Sequence, residues 1–209
     1  MRATFLTLIL AGAAAASATM ASAPVNSPAA MITLKPASEF TSITDPKARS
    51  LALYGEMTKV ISSPRCQNCH PATPLPTQGD DRHPHNPQIW SDADGHGVAG
   101  LHCNSCHQAV NSASWGVNIK SVPGDPKWGL APASMAWQGK TPGQICRQIK
   151  DKAANGGRDL KALHDHMAND HLVGWAWNPG EGRKPAPGTQ AQFGELVQGW
   201  IDTGAECPA

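Results

Sequence analysis

Two copies of one five-residue pattern constrain this chain more than any other feature of its 209 residues. Cys66-Gln67-Asn68-Cys69-His70 and Cys103-Asn104-Ser105-Cys106-His107 both read C-x-x-C-H. That spacing is the attachment pattern for c-type haem. The two thiols add across the vinyl groups on one edge of a porphyrin, and the His that follows reaches the iron as proximal ligand. Two pairs of thiols at this spacing also suit tetrahedral zinc. Zinc, however, gives no reason for a His directly after each pair. A thioredoxin-like redox pair would need a strand–helix–strand setting that neither motif has. The expectation is therefore two covalently held haems, with Cys66, Cys69, Cys103 and Cys106 as attachment points and His70 and His107 on the irons.

The composition agrees with a core completed by something other than side chains. Charged residues are 16% of the chain, below the usual quarter or so, while Gly (20) and Pro (18) are plentiful. Seven Trp stand beside three Phe and one Tyr, and a large flat ligand needs flat, rigid walls. Ordinary core packing is the plainer reading of those Trp. A net charge of +1 gives no support to a nucleic-acid binder or a polybasic membrane binder.

Residues 1–23 read as an export signal. Arg2 precedes the apolar run Phe5-Leu6-Thr7-Leu8-Ile9-Leu10 and an Ala-rich stretch. Ala16-Ser17-Ala18 and Ala21-Ser22-Ala23 both fit small-x-small cleavage, and Pro24 weighs against the second. The run is short of the roughly 20 apolar residues that a membrane anchor needs. The expected location is the periplasm, where disulfides persist. Cys146 and Cys207 lie outside the haem motifs, and a bridge between them is the natural assignment there, with two free thiols as the alternative.

Periodicity predicts helices and little else. Asp45-Pro46 reads as an N-cap with Pro at N1, and Leu53, Met57, Val60 and Ile61 make an apolar stripe over 46–61. Thr141-Pro142-Gly143-Gln144 and Thr189-Gln190-Ala191-Gln192 have capping-box spacing. The first opens a helix expected to run until Asn155-Gly156-Gly157. The second opens the clearest stripe in the chain, Phe193, Leu196, Val197, Trp200 and Ile201. Residues 159–173 form a further helix, 24–44 an extended lead-in, and 71–100 and 111–140 irregular loops. No segment alternates convincingly as a strand. The fold class is mostly α with long irregular loops, a compact domain over 45–209.

Only 36 residues lie between Cys66 and Cys103. The sequence resembles a dihaem c-type cytochrome, and an ordinary monohaem domain needs roughly twice that length around its cofactor. One domain wrapped around two neighbouring haems is the simplest solution; two loosely joined lobes are the alternative. From about Cys66 to the C-terminus the chain is similar to small bacterial dihaem proteins. These are labelled as the cytochrome subunit of isoquinoline 1-oxidoreductase-type molybdenum hydroxylases. The segments carrying that likeness are Asn155-Gly156-Gly157-Arg158 through His166 and Leu172-Val173-Gly174-Trp175-Ala176-Trp177-Asn178-Pro179-Gly180.

The sixth position on each iron decides the chemistry, since a strong His or Met there closes the site to substrates. Besides the two motif residues there are seven His, at 83, 85, 96, 102, 164, 166 and 171, and mature-chain Met candidates at 31, 57, 135 and 167. Met57 and Met167 fall on helical stripes and suit the core. Monohaem cytochromes present a Met from a Pro-containing apolar loop such as the one around Met135. The family resemblance implies Met135, His85 and His166 as distal candidates. It also implies an electron carrier serving a molybdenum hydroxylase or another dehydrogenase. A dihaem peroxidase with one open site is the alternative. Lys140, Arg147, Lys150, Lys152, Arg158 and Lys161 form a mildly basic stretch that would suit an acidic redox partner or simply face solvent.

Overall fold

The structure is a computed structural model that describes residues 33–113 and 121–209. The expected export signal and Met31 lie outside the described residues. Helix α1 spans Pro46–Ile61, with Asp45 accepting a hydrogen bond from the Ala48 amide and Pro at N1, as the sequence predicts. Ser62 and Ser63 end it, and Pro64 starts a single further turn, α2 (Pro64–Gln67), that carries Cys66. Helix α3 is Pro142–Lys150, α4 Leu160–Asn169, α5 His171–Gly174 and α6 Gln190–Asp202. Both expected capping boxes form, Thr141 with Gln144 and Thr189 with Gln192.

Helix α6 packs against α1 and α4, and their apolar stripes meet in one core. Tyr54, Met57 and Val60 of α1, Leu163 and Met167 of α4, and Leu196, Val197 and Trp200 of α6 are buried there. The crossing of α4 and α6 is close at Gly194, where a Cβ would lie 2.6 Å from the Ala168 Cβ. Helix α3 closes the core with Ile145 and Ile149 and carries Cys146, which is bonded to Cys207 across a separation of 61 residues. The expected disulfide is present.

Three boundaries differ from the sequence reading, each for a local reason. Helix α3 stops at Lys150 rather than at Asn155-Gly156-Gly157. Asp151 turns extended, its carboxylate takes the Ala153 amide, and the buried Asn155 side chain bonds the Ile149 carbonyl. The expected helix over 159–173 is two helices, because Asp170 leaves α4 in an extended conformation and N-caps α5 through the Leu172 amide. Part of the lead-in is a 3-10 turn, Ala37–Phe40, and Leu34 and Phe40 are buried in the core.

The loops also hold two small antiparallel ladders. Strand β1 (Thr77–Gln78) pairs with β2 (His83–Pro84), and β3 (Gly97–Val98) with β4 (Leu101–His102). Two residues are too few for alternation to register in sequence. Among the described residues the protein is mostly helical, with six helices and little strand. No described helix is long and apolar enough to cross a membrane.

Candidate functional site

Each C-x-x-C-H segment folds as a tight helical turn. The amides of Cys69 and His70 both donate to the Cys66 carbonyl, and those of Cys106 and His107 to the Cys103 carbonyl. On such a turn, positions i, i+3 and i+4 share a face. The two sulfurs and the imidazole of each motif therefore present together. The four motif cysteines are free and half-buried. Burial pushes the Cys66 thiol up to about 12 and the Cys69 thiol up to about 11, so both stay protonated at neutral pH. Burial raises the Cys103 thiol as well. Among the described residues, no three Cys, His, Asp or Glu side chains gather as a metal-ion cluster.

The two imidazoles are oriented in the same manner. His70 Nδ1 lies 2.6 Å from the Met135 carbonyl oxygen, and His107 Nδ1 lies 2.7 Å from the Pro123 carbonyl oxygen. A carbonyl only accepts, so each Nδ1 carries the proton and each Nε2 keeps its lone pair for a metal. An indole locks each ring. Trp137 stacks on His70 at 3.5 Å between centroids and 4° between planes, and Trp128 stacks on His107 at 4.6 Å and 10°. Burial, the leading cause at both, pulls His70 and His107 down to about 4, and each carbonyl contact partly opposes it. Both rings are neutral at pH 7.

Backbone contacts hold these partners in place. Ala131 donates to the Cys69 carbonyl and Trp137 to the His70 carbonyl, wrapping 131–137 around the first motif. At the second, the Asn111 Oδ1 accepts from both the Gly124 amide and the Trp175 indole at 2.9 Å. This pins the strand beside Pro123, where a Cβ on Gly124 would lie 2.0 Å from the Val110 carbonyl oxygen. Gly95, at φ 84°, passes so close to Leu130 that a Cβ would sit 2.4 Å from its carbonyl oxygen. That approach ties Gly95 to the same loop, while Cys103 donates its amide to the next carbonyl, His96.

A second imidazole stands near each motif His. The His85 ring centroid is 5.9 Å from that of His107. Two metal–imidazole bonds of about 2 Å each, plus two ring radii of about 1 Å, require a centroid spacing of about 6 Å. His85 Nδ1 donates to the Pro87 carbonyl at 2.7 Å, which again leaves Nε2 free. His166, on α4, is close enough to His70 that its charge would depress the His70 proton affinity. Its Nδ1 lies 3.3 Å from the Asp170 carboxylate, and burial lowers its own affinity while Asp170 raises it.

The Met135 backbone carbonyl meets His70 at Nδ1, and the residue is 8% exposed and part of the apolar core. Met57 and Met167 are also buried in the core, as their stripes imply. Of the remaining histidines, His83 is tied to Asp81 and Gln78, and His171 contacts Asp125 while 83% exposed. The stacking of Trp128 and Trp137 and the carbonyls of Pro123 and Met135 were not legible beforehand. The only hint was the surplus of Trp. Comparison with family models, curated proteins and solved structures finds no match for this chain.

Proposed function

We propose that this chain is a periplasmic electron-transfer protein with two covalently attached c-type haems. One would be held by Cys66, Cys69 and His70, the other by Cys103, Cys106 and His107. The observation that carries this reading is the arrangement at the second motif, where two free thiols accompany His107, fixed through Nδ1, and the His85 ring lies 5.9 Å from it; the first motif repeats the thiols and the fixed imidazole. The donor set fits the group. Each turn offers both sulfurs and a ring nitrogen on one face, and His107 and His85 have the spacing of an axial pair.

His85 would join His107, and His166 would join His70, in holding the two haem irons, while the Met135 carbonyl orients His70. Bound haem would supply one-electron exchange between ferric and ferrous iron. The chain's own work is to hold the imidazoles neutral and aimed, to exclude water with Trp128 and Trp137, and to close both axial positions. Closed positions leave no place for peroxide, which favours a carrier over a peroxidase. A dehydrogenase, such as a molybdenum hydroxylase, fits as donor, with the respiratory chain as acceptor. The basic residues Lys150, Lys152, Arg158 and Lys161 line a surface cleft suited to an acidic partner.

A pyridine haemochrome assay on the protein from a host competent in c-type maturation should give two haems per chain. Electron paramagnetic resonance of the oxidised form should be low-spin at both irons, with no thioether–iron charge-transfer band. His85→Ala and His166→Ala should each convert one iron to high spin. Zero haem would sink the reading; a high-spin iron in the wild type that turns over peroxide would replace it with the enzyme reading.

A further inference from the structure

Asp125 is a buried carboxylate, 2% exposed, in the loop that backs the second motif. Its Oδ1 accepts from the Lys127 amide at 2.8 Å, and its Oδ2 meets Nδ1 of His171. Its own carbonyl accepts from the Trp128 amide at 3.0 Å. A carboxylate shut away from water is kept only where donors meet its oxygens, so these contacts hold the side chain in and shape the turn 125–128 around it. Pro123, two residues before, gives its carbonyl to His107 Nδ1 at 2.7 Å, and Trp128, three residues after, stacks on the same ring. Both supports of His107 thus hang on the stretch of chain that Asp125 anchors.

The far side of that anchor is held as well. His171 is the first residue of α5, and Asp170 before it caps that helix through the Leu172 amide at 2.9 Å, which fixes the backbone from which His171 projects. Asp170 also lies 3.3 Å from His166 Nδ1. Four residues beyond His171, Trp175 meets Trp128 edge-on at 4.9 Å and donates its indole N–H to Asn111, whose Oδ1 also holds the Gly124 amide. The segment 170–175 therefore meets the loop behind His107 at Asp125, at Trp128 and, through Asn111, at Gly124. The His171 side chain is 83% exposed, so packing gives no reason for an imidazole there. Its bond to the Asp125 carboxylate does.

We infer that Asp125 and His171 are positioning residues for the second centre, bracing from α5 the loop that orients and stacks His107. The inference rests on the two-haem reading and adds to it two residues outside both C-x-x-C-H motifs and outside the proposed axial set. An imidazole whose Nδ1–H is held by an acceptor is a stronger donor to a metal and favours ferric iron. Loosening the loop weakens the Pro123 bond and so favours the ferrous form. Charge alone acts differently. Removing the carboxylate would favour ferrous iron, whereas removing the imidazole, charged or neutral, would favour ferric iron or change nothing.

The test uses the mature two-haem protein and its His171→Ala, His171→Asn and Asp125→Asn variants, titrated by spectroelectrochemistry. The potential of the His107 haem is the one that His85→Ala displaces. His171→Ala should shift that haem toward the ferrous form by about threefold, or about 28 mV at about 59 mV per tenfold, with the other haem moved by less. Electron paramagnetic resonance should show the g values of one low-spin signal displaced in the same variant. His171→Asn, whose amide sets a donor near the place of Nδ1, should restore the potential in part, and Asp125→Asn should raise it. Should Asp125→Asn fail to mature, the two His171 variants decide alone. A potential that falls or stays unchanged in His171→Ala would overturn the brace and leave the carrier reading intact. Equal shifts at both haems, the mark of a general loosening, would overturn it too. A wild type without haem removes both.

Discussion

Asp170 does two things that a single substitution can separate. Its carboxylate caps α5 through the Leu172 amide, and it lies 3.3 Å from His166 Nδ1. Asn caps about as well as Asp but carries no charge. Asp170→Asn should therefore leave thermal stability within about 1 kcal/mol. If His166 holds a haem iron as proposed, the substitution should raise that haem's midpoint potential, because an anion behind an iron-bound imidazole favours the ferric state. A redox titration of the variant checks this; no change at either haem would mean that His166 is not an axial ligand. Protonation supplies a second residue-scale expectation. An imidazole in the unfolded chain titrates near 6.5, while His70 and His107 in the folded chain titrate at about 4. Between those values the unfolded chain binds protons that the folded chain does not, so stability falls as pH drops across that window. Urea unfolding of the chain made without haem should therefore give lower stability at pH 5 than at pH 7, and equal stability at the two would contradict the buried, carbonyl-bonded geometry.

At the scale of elements, the disulfide and the caps carry measurable stability. Cys146→Ser with Cys207→Ser opens a loop of 61 residues. Chain-entropy arguments put the cost at about 4 kcal/mol in urea unfolding. Any haem bound should be retained with its spectrum, since neither cysteine of the bridge belongs to a C-x-x-C-H motif. The helices with strong local signals were readable: Asp45-Pro46, Thr141 with Gln144 and Thr189 with Gln192 all cap where expected. The misread boundaries depend on side chains acting at a distance of a few residues. Asn155 reaches back to the Ile149 carbonyl, and Asp170 turns out of α4 to start α5. Neither choice leaves a periodic trace, because Asn and Asp compete with the helix through local hydrogen bonds.

For the whole molecule, the legible parts of the site were those fixed by covalent spacing, and the illegible parts were those assembled by long loops. The C-x-x-C-H repeat marks six candidate residues, and the structure folds each set of three onto one tight turn. The loop 131–137 folding over the first motif, and Pro123 and Trp128 backing the second, bring together positions 16 to 67 residues apart in the chain. Such pairings depend on tertiary closure, which no window of sequence encodes. The result is a single apolar core shared by the helices and by the loop residues Met135 and Trp137 beside the first motif.

Helix α4 buries Leu163 and Met167 in the core and carries His166, whose charge would act on His70. Its distance from α6 is held by the missing side chain at position 194. Gly194→Ala should force the helices apart by a few tenths of an ångström and weaken the grip of His166, visible as partial high-spin signal at one iron. If the chain carries electrons as proposed, its voltage would be set partly by how tightly two ordinary helices nest at Gly194.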